Sequence, residues 1–170
     1  MAFSQIREIT STYFNLRPKG TKIDTIVIHS MYHPKSQNPF DILECFNLLN
    51  QHEVSAHYAI ARDGITYSFV PPKFRAWHAG QSKMPFSRDK RENVNNFSIG
   101  IEMIGDKYQS FTDEQYKSLV SLLELLFNKF PICAIVSHRV IAPGRKEDPG
   151  DNFNWDWLKT LSKKNLKIKF

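Results

Sequence analysis

I-D-T-I-V-I-H, residues 23–29, is a short apolar run, rich in β-branched residues, that ends on a histidine. Val and Ile suit a pleated surface packed on both faces, so the run reads as a buried strand. Working outward, F-S-I-G-I-E-M-I (97–104) and A-I-V-S-H (134–138) read the same way. Val54 to Ile60 and Ile65 to Val70 predict a hairpin around Arg62-Asp63-Gly64, because Asp-Gly suits the tight turn. Helical signals stand between the strands. Asn38 can cap a helix from Phe40 to about His52, with Pro39 at its first position and Leu43, Phe46 and Leu49 or Asn50 facing inward. Thr112-Asp113-Glu114-Gln115 is a capping box, followed by Tyr116, Leu119, Val120, Leu123, Phe127 and Phe130 at helical spacing. A last amphipathic helix is predicted from Trp155 to about Ser162. Strands alternating with helices predict an α/β fold: a single domain over residues 1–170, with a central mixed β-sheet flanked by helices.

The bulk numbers narrow the class. Hydrophobic residues at 41% and charged residues at 24% are ordinary for a globular domain. The richest apolar stretch, Leu119 to Phe127, is too short to span a membrane and contains Glu124. The opening M-A-F-S-Q-I-R-E lacks the apolar segment of a signal peptide. Cys45 and Cys133 are too few and too far apart for a disulfide scaffold, and read as two buried thiols. Together these predict a cytoplasmic location. The net charge of +6 suits an anionic partner, either nucleic acid or peptidoglycan carboxylates. No nucleic-acid motif accompanies it, so no nucleic-acid partner is expected. The lysines at 159, 163, 164, 167 and 169 read as a solvated tail. Pro71 to Asn96 is a long polar loop, which in a small domain is usually functional.

The chemistry-bearing residues are positional rather than motif-bound. His29 and His138 each close an apolar run, and strand ends are where a sheet presents groups to a cleft. Asp148 follows His138 by ten residues, close enough for a loop to return it to the same place. Two histidines and a carboxylate can make a catalytic zinc set with one position open to water. Singly, each is more often structural. Glu102 interrupts an apolar strand, sharing a face with Ser98 and Gly100 while Ile99, Ile101 and Met103 face the other way. A carboxylate there is either solvated on an edge strand or set in a cleft, where a raised pKa suits a general base.

The chain resembles the type-2 N-acetylmuramoyl-L-alanine amidases, and within them the AmpD-like members that recycle anhydromuropeptides. The segments that carry the likeness are I-V-I-H (26–29), V-S-A-H-Y-A-I-A-R-D-G (54–64), R-A-W-H-A-G (75–80), N-F-S-I-G-I-E (96–102), His138 and A-P-G-R-K-E-D-P-G (142–150), in family order from about residue 23 to 157. The resemblance implies hydrolysis of the amide between the muramic lactyl group and L-alanine in peptidoglycan or muropeptides. It implies that His29, His138 and Asp148 hold zinc, that Glu102 is the general base, and that Lys146 steadies the developing oxyanion. Trp77, His78 and, more weakly, Arg75 match the substrate cleft. His57 matches a position that supports the fold, and His33 and His52 match none, reading as surface residues. Ser30 stands where AmpD-like members often carry Asn, the stretch from Met31 to Glu53 is short, and Asn93 stands where some carry Arg. These departures touch the cleft, not the metal set. The competing reading is a non-catalytic peptidoglycan-recognition module, relatives of which usually lose a ligand or the catalytic pair; here all five positions are filled.

Overall fold

A computed structural model of the chain describes residues 6–159 and 167–170. In chain order its elements are β1 (Arg7–Glu8), β2 (Phe14–Leu16), β3 (Thr25–Met31), α1 (Ile42–Gln51), β4 (Tyr58–Ile60), β5 (Thr66–Ser68), β6 (Phe74–Ala76), β7 (Ser98–Ile104), α2 (Asp113–Lys129), β8 (Ala134–Ser137), α3 (His138–Ile141), α4 (Trp155–Lys159) and β9 (Lys167–Lys169). The main sheet is ordered β1-β5-β4-β7-β3-β8-β9. Its central strands β4, β7, β3 and β8 run parallel, and the β4–β5 hairpin is antiparallel, so the sheet is mixed as expected.

The two faces of the sheet do different work. Ile26, Ile28, Ile60, Ile99, Ile101 and Met103 point to the back, where they bury against α2 and α4 through Leu119, Leu123, Leu126 and Leu158. Full burial of such a side chain contributes about 1.5–3 kcal/mol relative to exposure. The capping box of α2 is present in both directions, Thr112 to the Gln115 amide and Gln115 back to Thr112. Buried Gln115 also donates to Ile60 O at 3.0 Å and Ile104 O at 2.8 Å, binding the helix to the carboxyl ends of β4 and β7. The front face is partitioned: Ala59 and Ile104 lie under α1, and Val27 and Val136 lie under the 79–97 stretch.

Several expectations are corrected here. Asp41, not Asn38, caps α1: its carboxylate accepts from the Leu43 and Glu44 amides, and the chain turns once more at Asn38 before the helix can start. A carboxylate is the stronger partner for the positive helix start. The buried face of α1 is Cys45 and Phe46, while Leu43 is 55% exposed. Cys133 is exposed at the start of β8; only Cys45 is buried. The hairpin strands are shorter than predicted, because the Phe69 and Val70 amides both converge on His57 O and end regular pairing. His33 is half-buried rather than a surface residue. The end of the last predicted helix beyond 159 and the tail lysines at 163 and 164 lie outside the described residues.

The stretch from Pro71 to Asn96 is not featureless. Its strand β6 pairs antiparallel with β2, a separate two-stranded ribbon. Arg17, just past β2, fastens this stretch. Its guanidinium donates to Pro72 O (3.0 Å), Asn95 O (2.9 Å), Asn96 O (2.7 Å) and Ser98 O (2.8 Å). Burial and the nearby Arg75 lower its pKa to about 10, which leaves it cationic at neutral pH.

Candidate active site

Parallel pairing brings the carboxyl ends of neighbouring strands to one edge of the sheet. Within that register His29 stands opposite Glu102, and Ile28 stands opposite Ser137, so His138 follows beside His29. His138 opens α3, whose first turn is capped by the Ser137 hydroxyl. Asp148 comes back over these ends on a loop fixed by Arg139 N to Asp148 O (3.1 Å) and Ser30 Oγ to Pro149 O (3.2 Å). Four sequence-predicted residues thus meet in one place.

His29 Nδ1, His138 Nδ1 and Asp148 Oδ2 form a near-equilateral triangle with sides of 3.0, 3.1 and 3.0 Å. Burial, with His138 beside it, lowers the pKa of His29 to about 4, so its ring is neutral at neutral pH. His138 Nε2 faces Ala79 O at 3.2 Å, which assigns its proton to Nε2 and leaves Nδ1 as a bare lone pair. Three acceptor atoms brought this close repel one another unless a cation sits among them. Bonds of about 2.0 Å at tetrahedral angles place ligand atoms about 3.3 Å apart, close to the observed spacing. His29, His138 and Asp148 therefore form a group that can bind a metal ion.

Glu102 is only 7% exposed, and its Oε2 has no hydrogen-bond partner among the described residues. Burial, reinforced by Asp148 and opposed by Lys146, raises its pKa well above the usual carboxylate range. The cleft over these groups has a volume of about 540 Å³. Met31, Leu48, Leu49, Val54 and Trp77 give it an apolar wall, and Arg145 and Lys146 give it a cationic one. Trp77 is held by its Nε1–H to Asn15 Oδ1 (3.2 Å) and by contact with Tyr13. His52, read as a plain surface residue, is exposed but lies on the cleft rim.

The remaining expected residues separate. Arg75 lies on the β2–β6 ribbon and is not among the residues lining the cleft. His78 is among the residues lining the cleft and stands edge-on to the His29 ring at 5.0 Å. Ser30 lines the cleft, whereas Asn93 lies in a neighbouring depression with Lys83 and Arg145. Two residues that pattern did not reveal shape the cleft. Asn95 Oδ1 accepts the His78 and Ala79 amides, and Arg145 Nη2 donates to Ala79 O and Gln81 O at 2.7 Å. Both sit in or beside the quoted segments, but nothing in their spacing distinguishes them from solvated residues.

His57 is wholly buried. Its Nδ1 accepts the Gly100 amide at 3.0 Å and its Nε2 faces Phe74 O at 3.1 Å. Burial, then Arg17, lowers its pKa to about 3. A folded-state value below the unfolded one, near 6.5, means that the unfolded chain binds the proton first. The stability is therefore complete above about pH 6.5 and is lost as pH falls toward 3, by up to about 1.4 kcal/mol per pH unit from this group alone. Urea titrations of chelator-treated protein should give a midpoint that is flat above pH 7 and falls steadily by pH 5. An unchanged midpoint over that range would show that His57 does not govern the acid limb.

A model of the N-acetylmuramoyl-L-alanine amidase family matches residues 19–151. A 1,6-anhydro-N-acetylmuramyl-L-alanine amidase, AmpD, of Haemophilus influenzae is 37% identical over 166 residues, covering 88% of each chain. The crystal structure of a Se-Met AmpD derivative superposes with a TM-score of 0.79 at 32% identity, over 94% of this chain and 96% of that one. The amidase AmiD from E. coli, solved with anhydro-N-acetylmuramic acid-L-Ala-D-gamma-Glu-L-Lys, gives a TM-score of 0.71 at 26% identity, over 85% of this chain and 60% of that one. A family match over residues 19–151, and a relative 37% identical over 88% of each chain, establish that this chain belongs to the N-acetylmuramoyl-L-alanine amidase family.

Proposed function

We propose that residues 1–170 form a single amidase domain that hydrolyses the bond between the lactyl carbonyl of N-acetylmuramic acid, including its 1,6-anhydro form, and L-alanine. The observation that carries this is the triangle of three lone-pair donors beside a buried, unpartnered Glu102 oxygen at the floor of an open cleft. His29, His138 and Asp148 would hold a zinc ion. Zinc, when bound, supplies a polarised water and Lewis-acid pull on the amide carbonyl.

The chain's own residues do the rest. Glu102 takes a proton from the attacking water and returns it to the departing alanine nitrogen, which leaves as a neutral amine. Its high proton affinity in this buried setting fits a group that must both accept and deliver. Lys146 offsets the negative charge that develops on the carbonyl oxygen. The apolar wall of Leu48, Leu49, Val54 and Trp77 suits the sugar face and the lactyl and alanyl methyls, and Arg145 and Lys146 suit the acidic peptide stem. We place the activity in the cytoplasm, on soluble muropeptides, consistent with the likeness to AmpD. Among the described residues no helix is long and apolar enough to cross a membrane.

Incubation with soluble anhydromuropeptide, followed by mass spectrometry, tests the reading. Free anhydro-N-acetylmuramic acid and an intact peptide with a new alanine amino group are the expected products. Stoichiometric binding with no cleavage would instead establish a recognition module. Intact sacculi in a parallel digest, and cell fractionation, test the preference for soluble fragments and the location.

A further inference from the structure

Within this proposed metal site, on which the inference rests, we infer that His78 is a positioning residue. Lining the cleft beside His29, it fixes the tautomer and orientation of that ring through a hydrogen-bond chain ending on the backbone.

The direction of the chain can be worked out from its far end. Ser98 has one hydroxyl proton, and its Oγ lies 2.6 Å from Val94 O, a carbonyl that can only accept. The proton is therefore used there, and the Ser98 oxygen presents a lone pair to His78 Nε2 at 3.2 Å. His78 must then carry its proton on Nε2 and leave Nδ1 bare. Bare Nδ1 lies 2.9 Å from His29 Nε2, which must donate. His29 consequently keeps Nδ1 unprotonated, the atom that faces His138 Nδ1 and Asp148 Oδ2. Every group in the sequence has one role that satisfies all the others.

The surroundings are shaped for this ring. Gly100 lies directly against it, and a Cβ there would come within 2.5 Å of His78 Cγ. The His78 amide is tied to Asn95 Oδ1 at 3.1 Å, and the rings of His29 and His57 pack edge-on from two sides. Trp77 and His78 both line the cleft, and His78 does so with its Nδ1 against His29 Nε2.

The test compares zinc affinity, by competition with a fluorescent chelator, in the native protein and in His78→Phe, His78→Asn and Ser98→Ala. Phe keeps the ring but loses both hydrogen bonds, and removing such a supporting partner typically weakens metal binding about 10–100-fold. Asn can place an acceptor oxygen where Nδ1 stands, so most of the affinity should return. Ser98→Ala frees the tautomer and should fall between native and Phe. Long-range ¹H–¹⁵N spectra of the native protein should show His78 protonated on Nε2 and bare at Nδ1. Native affinity in a folded His78→Phe, a rise in KM without weaker zinc binding, or a proton on Nδ1 would each overturn the inference. If His78→Phe does not fold, Ser98→Ala and the native spectra decide. A native protein that binds no zinc would remove the active-site reading and this inference together, whereas equal binding by native and His78→Phe would remove this inference alone.

Discussion

His138→Ala, assayed on soluble anhydromuropeptide, is expected to lose activity by about 10³–10⁵-fold and to purify without zinc. The site offers three donor atoms 3.0–3.1 Å apart and no fourth from the described His, Cys, Asp or Glu side chains, so losing one leaves an incomplete set. Metal stabilisation of a developing charge is worth several kcal/mol, and each 1.4 kcal/mol is tenfold in rate. Asp148→Ala should behave alike, because its oxygen closes the triangle with both imidazoles. Chelation of the native enzyme should match these variants, and added zinc should restore the native enzyme but not the variants. The fold should survive, since the back-face core of Ile26, Ile28, Ile99 and Ile101 does not involve these groups. Activity that persists in metal-free protein, with zinc measured on the same preparation, would refute the zinc assignment.

Glu102→Gln is expected to lower kcat by about 10²–10⁴-fold, the usual contribution of a positioned base, while zinc and fold remain. The substitution keeps the volume in a site that is only 7% exposed and removes the oxygen that lacks a partner. It also relieves a buried charge, so thermal stability should not fall by much. The native kcat/KM should decline on the acid side at a pH above the ordinary carboxylate range. Burial and Asp148 raise the Glu102 pKa, and the base works only when unprotonated. That limb should vanish in the variant. Loss of zinc together with activity would make Glu102 a ligand, and an unchanged kcat would make it a bystander.

Much of this was legible in the sequence because the relevant signals are local. An apolar run ending on histidine marks a strand and its end together. The alternation of Ser98, Gly100 and Glu102 against Ile99, Ile101 and Met103 assigns the glutamate its face without any tertiary knowledge. Thr112 and Gln115 declare a helix start within four residues. Asp148 was different: its ten-residue spacing from His138 allowed a loop to return it, but its place depends on how that Pro- and Gly-rich loop runs, and the family likeness carried most of the assignment. The β2–β6 ribbon was invisible, since F-N-L and F-R-A are too short to show a period. The contact of His78 with His29 was likewise hidden, because the space for its ring depends on a bare glycine 22 residues later along the chain. Asn38 attracted the helix cap by residue type, but Asp41 supplied a charged one nearer the apolar stripe.

The guanidinium of Arg17 bears on where this protein can be shortened. The region shared with the family begins at residue 19. A chain trimmed to that boundary would retain His29, Glu102, His138 and Asp148, and by similarity alone would look whole. It would have lost β2 and the donor that serves the carbonyls of Pro72, Asn95, Asn96 and Ser98. Asn95 and Ser98 are the residues on which His78 rests, and β6 leads directly into Trp77. The cut would therefore spare the ligands and loosen the wall behind and beside them. The working unit starts earlier than the recognisable one, and fusions, grafts or minimal versions of this enzyme should preserve the first two strands.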